Sequence, residues 1–210
     1  MLVAILNASP RRDGNSRALA DAAGVGAEAA GHSVDSIHLA DHVEGLMRDC
    51  RHCRRADGSC SIEDGLEELL FERLLPADAW VYATPLYWYG MSGILKTLLD
   101  RLFCFAAESA TRSDEVNTGL QGKRAAALIS AEESDLGARL PLLHHLQELS
   151  RYLHHDFVGA VTGVGNRRGE VAADPDRPLD AARALGARLF EARVTDYRLD
   201  TERSSTVWEN

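Results

Sequence analysis

The chain has 210 residues, long enough for one well-filled core and short for two. A net charge of −9, from 23 basic and 32 acidic side chains, argues against nucleic acid or any other polyanion as a partner. No apolar run approaches the ~18 residues of a membrane span, and four cysteines, three of them close together, make no disulfide framework. With no basic-then-apolar leader at the N-terminus, a reduced, cytoplasmic protein is expected.

Residues 2–6, LVAIL, suit a buried strand, and residues 16–30 suit a helix. Between them stands NASPRRDGNS, residues 7–16. A helix N-terminus leaves main-chain N–H groups unpaired and carries about half a positive charge, so a phosphate placed there meets both needs. Gly14 lets the chain turn, Asn15 and Ser16 can cap the helix or donate to phosphate oxygens, Ser9 can donate from the near side, and Arg11 or Arg12 can add charge. A plain capped turn with surface arginines is the competing interpretation. Neither a Walker A sequence nor the three-glycine dinucleotide fingerprint is present.

Residues 33–39, SVDSIHL, alternate in polarity as an edge strand does. CRHCRRADGSC follows at 50–60, with Cys50, Cys53 and Cys60. Arg48, Arg51, Arg54 and Arg55 join Arg11 and Arg12 as a candidate basic rim that either steers an anionic ligand's phosphates or is simply a solvated surface. A helix over 63–75 leads to a strand at 79–83 and then to ATPLYWYGMSGILKTLLDR, residues 83–101. Three consecutive aromatics at the end of a central strand cannot all enter the core. Either a flat aromatic ligand lies against them or they form a self-association patch.

The next helix, 92–103, carries one apolar stripe of Ile94, Leu95, Leu98, Leu99, Leu102 and Phe103, with Cys104 at its end as a small buried hydrophobe. The polar stretch 107–122 is long for a connection and is expected to be a lid or binding loop. A strand at 125–129, a helix over 138–154, a strand at 157–161 and a helix over 178–193 complete the β-α alternation of an open parallel sheet. His144–His145 and His154–His155 are adjacent pairs that cannot share a metal, and the second pair sits where a helix dipole favours a cation. A single domain over 1–193 and a tail or arm over 194–210 are expected.

NASPRRDGNS and TPLYWYGMSGILKTLLDR together resemble the flavodoxin-like NAD(P)H-dependent FMN reductases, a group that includes the iron–sulfur flavoproteins. The likeness extends to LQGKRAAALI and GVGNRRGEVAADP and covers about residues 2–193. It implies a flavodoxin-like three-layer α/β/α sandwich with five parallel strands in the order 2-1-3-4-5. It also implies FMN, its phosphate at Ser9, Arg11, Asn15 and Ser16 beside the Gly14 turn. The ring would lie against Pro85, Leu86, Tyr87, Trp88, Tyr89 and Gly90, with Ser130 as a further contact.

The implied activity passes electrons from NAD(P)H through FMN to a quinone or other small acceptor, in a homodimer or homotetramer. The alternative is a flavodoxin-type carrier that serves protein partners without oxidising NAD(P)H. No acid–base residue is assigned, since the flavin carries the chemistry. Where relatives have small residues after strand four, this chain has Glu132 and Glu133, which would oppose a reduced flavin if they faced it. Cluster-bearing relatives have four compact cysteines, and Ala56 stands at the third position here, so no iron–sulfur cluster is expected. Zinc on the three cysteines with His52 or His42 is the lesser alternative, and reduced or redox-active thiols are favoured.

Overall fold

The computed structural model describes residues 1–50, 52 and 54–192; Arg51, Cys53 and the expected tail lie outside these. Five parallel strands, β1 (Leu2–Asn7), β2 (Ser33–His38), β3 (Ala79–Pro85), β4 (Arg124–Ala131) and β5 (Asp156–Val164), form one sheet in the order β2-β1-β3-β4-β5. The alternating second strand is at an edge, where one face meets solvent, and β1, β3 and β4 are buried on both faces.

The side chains of each central strand divide between two cores. Val3 and Ile5, Val81, Ala126 and Leu128 face α1 (Asn15–Ala29) and α6 (Pro178–Ala187). Leu6, Trp80, Tyr82, Ala127 and Ile129 face α2 (Leu66–Leu69, continued as a π-helical turn to Leu74), α3 (Gly93–Ala106), α4 (Ser113–Leu120) and α5 (Leu140–Tyr152). Helices α1 and α6 approach closely because Gly26 and Gly186 face one another's backbones. A Cβ on Gly26 would fall 1.9 Å from the Arg183 carbonyl oxygen, and one on Gly186 would fall 2.0 Å from that of Ala23.

Three expectations are corrected. The stretch 107–122 is not an open loop: α4 occupies its second half and buries Val116 and Leu120. The inner face of α3 is rotated, leaving Phe103 exposed and carrying Arg101 and Phe105 into the core, while Cys104 is buried as expected. His155 is no helix-dipole cation. It is buried beyond the end of α5, packed edge-on against Trp80 and bonded to the Leu120 carbonyl.

Burial pushes the His155 imidazole down to about 4, the Leu120 carbonyl opposing and Lys123 assisting. The folded state therefore keeps a neutral ring where the unfolded chain takes up a proton. Stability is full above about pH 6.5 and declines, by up to about 3 kcal/mol, as pH falls through about 4. In urea titrations across that interval, His155→Gln is expected to remove this part of the slope.

Candidate functional site

Parallel pairing of β1 with β3, with Asn7 opposite Ala83, sends both sequence-predicted loops out of the same sheet edge. The Ala8 N–H donates to the Ala83 carbonyl (2.8 Å), extending the pairing into the first loop. There the Ser9 N–H donates to Asn7 Oδ1 (3.4 Å) and the Arg11 N–H to Ser9 Oγ (3.1 Å), which turns the chain and buries Ser9. Helix α1 then starts with Gly14 as its N-cap, no side-chain cap and no acidic residue in its first turn. Its leading N–H groups open onto the loop, which is an anion-binding arrangement.

Asn15 takes a different part from the one its position in the sequence suggests. Its Nδ2 donates to the carbonyls of Gly165 (2.8 Å) and Arg167 (3.0 Å), and its Oδ1 accepts from the Val171 N–H (3.3 Å). The amide thus clamps the segment after β5, leaving only the main-chain N–H for an anion. Ser16 Oγ lies 2.7 Å from Ser130 Oγ, joining the start of α1 to the end of β4. The Ser130 carbonyl in turn accepts from the Leu86 N–H (2.8 Å), so Ser130 links the first loop to the third.

The loop after β3 is a tight turn. Tyr87 and Gly90 exchange main-chain hydrogen bonds (2.9 and 3.0 Å), and Trp88 and Tyr89 between them have φ of +48° and +63°. Such left-handed pairs suit Asn-Gly. For Trp-Tyr they cost about 1–2 kcal/mol per residue, a strain that concentrates at functional sites. The Trp88 side chain is 95% exposed at the tip, with Tyr87 and Tyr89 about half-exposed beside it. Thr84, fully buried, ties the loop's two ends together: its Oγ1 accepts from the Ser92 N–H (3.0 Å) and donates to the Pro85 carbonyl (3.0 Å).

Two positioning residues were therefore missed, Asn7 and Thr84, although each is a polar residue at the end of an otherwise apolar strand. The Asn7 Nδ2 is buried without an acceptor among the described residues. Glu132 and Glu133 are both exposed, the former accepting from Asn166 Nδ2 (3.2 Å).

Two arginines of the basic rim are paired with carboxylates. Arg12 pairs with Asp41 and Arg55 with Glu63, Arg54 donates to the Gly58 carbonyl (3.1 Å), and Arg11 and Arg48 are exposed. His52 pairs with Asp49, His42 lies against Arg73, and no group of three His, Cys, Asp or Glu side chains among the described residues is placed to hold a metal. Cys53 lies outside these residues; Cys50 and Cys60 are buried.

Beside both loops is a cavity of about 300 Å³ lined by Pro10, Val43, Leu46, Tyr87, Gly93 and Thr97, among others. No described helix is long and apolar enough to cross a membrane.

A family model described as NADPH-dependent FMN reductase matches residues 1–169. YwqN of Bacillus subtilis (strain 168), provisionally named an NAD(P)H-dependent FMN-containing oxidoreductase, is 28% identical over 185 residues, 88% of this chain and 97% of its own. An iron-sulfur flavoprotein of Archaeoglobus fulgidus is 26% identical over 193 residues, covering 91% of this chain and 80% of that one. The solved NAD(P)H:quinone oxidoreductase from Methanothermobacter marburgensis shares the fold with a TM-score of 0.68 at 23% identity, covering 90% of this chain and 96% of that chain.

Proposed function

The chain belongs to the NADPH-dependent FMN reductase family, and from that premise we propose that FMN lies across the carboxyl ends of β1, β3 and β4, with NAD(P)H as reductant and a quinone or other small molecule as acceptor. The observation that carries this is the uncapped N-terminus of α1 set beside the aromatic turn on one sheet edge, the two joined through Ser130. Gly14 offers the first turn no side-chain acceptor, so its amides call for an external anion.

Ser9 Oγ, the main-chain N–H groups of Asn15 and Ser16, and the Arg11 guanidinium would hold the phosphate. The unpartnered Asn7 Nδ2 adds a buried donor under the same loop. Pro85 through Gly90 would border the ring, their backbone held in place by Thr84. Bound FMN would supply the electron-transfer chemistry. The chain's residues hold and orient, and none is required as acid or base. Because Glu132 and Glu133 are exposed, they place no buried charge against the ring.

The neighbouring 300 Å³ cavity is walled mostly by apolar side chains and suits an uncharged, flat acceptor. The exposed Trp88 beside the site supports a homodimer or homotetramer in which a second copy covers it. A reducing, cytoplasmic setting agrees with the buried thiols.

One experiment tests the reading. The purified protein, loaded with FMN, is mixed with NADPH and then with either a bulky quinone or ferricyanide. Bleaching of the flavin within seconds is expected, whereas an unbleached flavin would favour the carrier alternative. Gly93 lines the cavity and a Cβ on it meets nothing within 4 Å, so Gly93→Leu adds bulk at the cavity wall without a clash at its Cβ. It is expected to lower the ratio of quinone to ferricyanide turnover about tenfold. An unchanged ratio would put the acceptor elsewhere.

A further inference from the structure

Three thiols not used above lie in one core. Cys50, Cys60 and Cys104 are all buried on the α3 side of the sheet. Cys60 reaches Cys104 because the turn before it is seated on the chain just past α3. Gly58 packs so closely there that a Cβ would sit 2.9 Å from the Ser109 carbonyl oxygen, and Thr111 Oγ1 donates to the Asp57 carbonyl (2.7 Å). Cys104, in the last turn of α3, shares this core with Cys60 and is close enough for the two sulfurs to influence one another.

The two sulfurs are not equivalent. Arg101, one turn before Cys104 on the same helix, brings Nη2 to 4.0 Å from Cys60 Sγ. Burial first, and then Cys60, push the Cys104 thiol up to about 12, with Arg54 opposing. Cys104 is therefore held as the protonated thiol. Cys60 also lines a small cavity of about 40 Å³ with Phe71, Phe105, Thr111 and Arg112, while Cys104 is fully buried and forms no part of its lining. A small oxidant thus meets Cys60 first.

We propose that Cys60 and Cys104 form a redox-active dithiol that a peroxide converts to a disulfide. In the first step the Cys60 sulfur attacks one peroxide oxygen and gives up its proton. The S–O bond forms, the O–O bond breaks, and the departing hydroxide takes a proton to become water. In the second, the Cys104 sulfur attacks Cys60. The S–S bond forms, the S–O bond breaks, and the hydroxyl leaves with the Cys104 proton as water. Two thiols lose two electrons and two protons, and one peroxide becomes two waters. The product bond ties the cysteine loop to α3.

Peptide mapping of the full chain under non-reducing conditions, after stoichiometric hydrogen peroxide, reads this directly. The expected result is one cross-linked peptide pair joining Cys60 to Cys104, lighter by two hydrogens and released by dithiothreitol. In Cys104→Ser, Cys60 is expected to stop at the sulfenic acid and be trapped by dimedone. A cross-link through Cys50 or Cys53, thiols untouched by peroxide, or iron or zinc held by these sulfurs after anaerobic purification would overturn the proposal. If the variant fails to fold, the wild-type map alone decides.

Discussion

Gly14→Asp is expected to weaken FMN binding by a hundredfold or more while leaving the FMN-free protein about as stable as before. Gly14 has φ −83° and ψ 176°, which any residue adopts, so the change strains no backbone. Aspartate is a better N-cap than glycine by a few tenths of a kcal/mol. Against that, the new Cβ falls 3.3 Å from Ser9 Oγ and 3.4 Å from Arg11 Cβ, a crowding that small shifts relieve. The two effects on the free protein are small and opposed.

Binding has no such compensation. The carboxylate takes the same N–H groups that a phosphate would use, and sets like charges about 4 Å apart. That repulsion is worth roughly 1 kcal/mol in water and about 4 kcal/mol at a partly buried site, and each lost charge-assisted hydrogen bond adds about 1.5–3 kcal/mol. With the bonds from the Asn15 and Ser16 N–H groups both lost, even the lower figures exceed the ~2.7 kcal/mol of a hundredfold change. Calorimetric titration with FMN, alongside Gly14→Ala as the steric control, separates charge from crowding. Equal affinities for the two variants would remove the phosphate from this helix end.

The edge strand, the doubly buried strands and the loop-to-helix junction after β1 were legible because periodicity and end-capping chemistry are local. The strand order rested on resemblance, since no local pattern tells which parallel strand lies beside which. What stayed hidden depended on partners distant in sequence. Asn15 reads as a cap or a ligand until the segment 150 residues away takes its side chain. Cys104 reads as an apolar residue until Cys60 is laid against it. The helix α4 has only Val116 and Leu120 to bury, too few for a visible period. Arg101 was the least readable, a charge in line with leucines whose partner, Asp64, lies on another segment.

For that pair, Asp64→Asn should destabilise the fold by about 3–5 kcal/mol, the cost of leaving a buried guanidinium without its counter-charge. Both side chains are 1% exposed. Arg101 Nη2 donates to Asp64 Oδ1 (2.9 Å) and Nη1 to Oδ2, while Nη1 also donates to the Gly45 carbonyl (3.0 Å). Asp64 further accepts from the N–H groups of Glu44 (3.0 Å), Gly45 (3.2 Å) and Leu66 (3.3 Å). Burial alone would raise the carboxyl. Arg101 and the Glu44 and Gly45 amides outweigh it and lower the group from 3.8 to about 2. The stabilisation is therefore present above about pH 4 and lost as pH falls through about 2. Asp64→Asn should lose that acid slope as well as its midpoint in urea at neutral pH.

Replacing both partners with apolar residues, Asp64→Leu with Arg101→Met, should recover most of the stability, because the desolvation cost disappears with the charges. It should not recover the wall of the 300 Å³ cavity, since Val43, Glu44 and Leu46 flank the turn that this pair holds. A double variant that is stable yet turns over the bulky quinone less well would separate folding from positioning. If the double variant were as unstable as Asp64→Asn, the loss would belong to the packing of the segment and not to the unpaired charge.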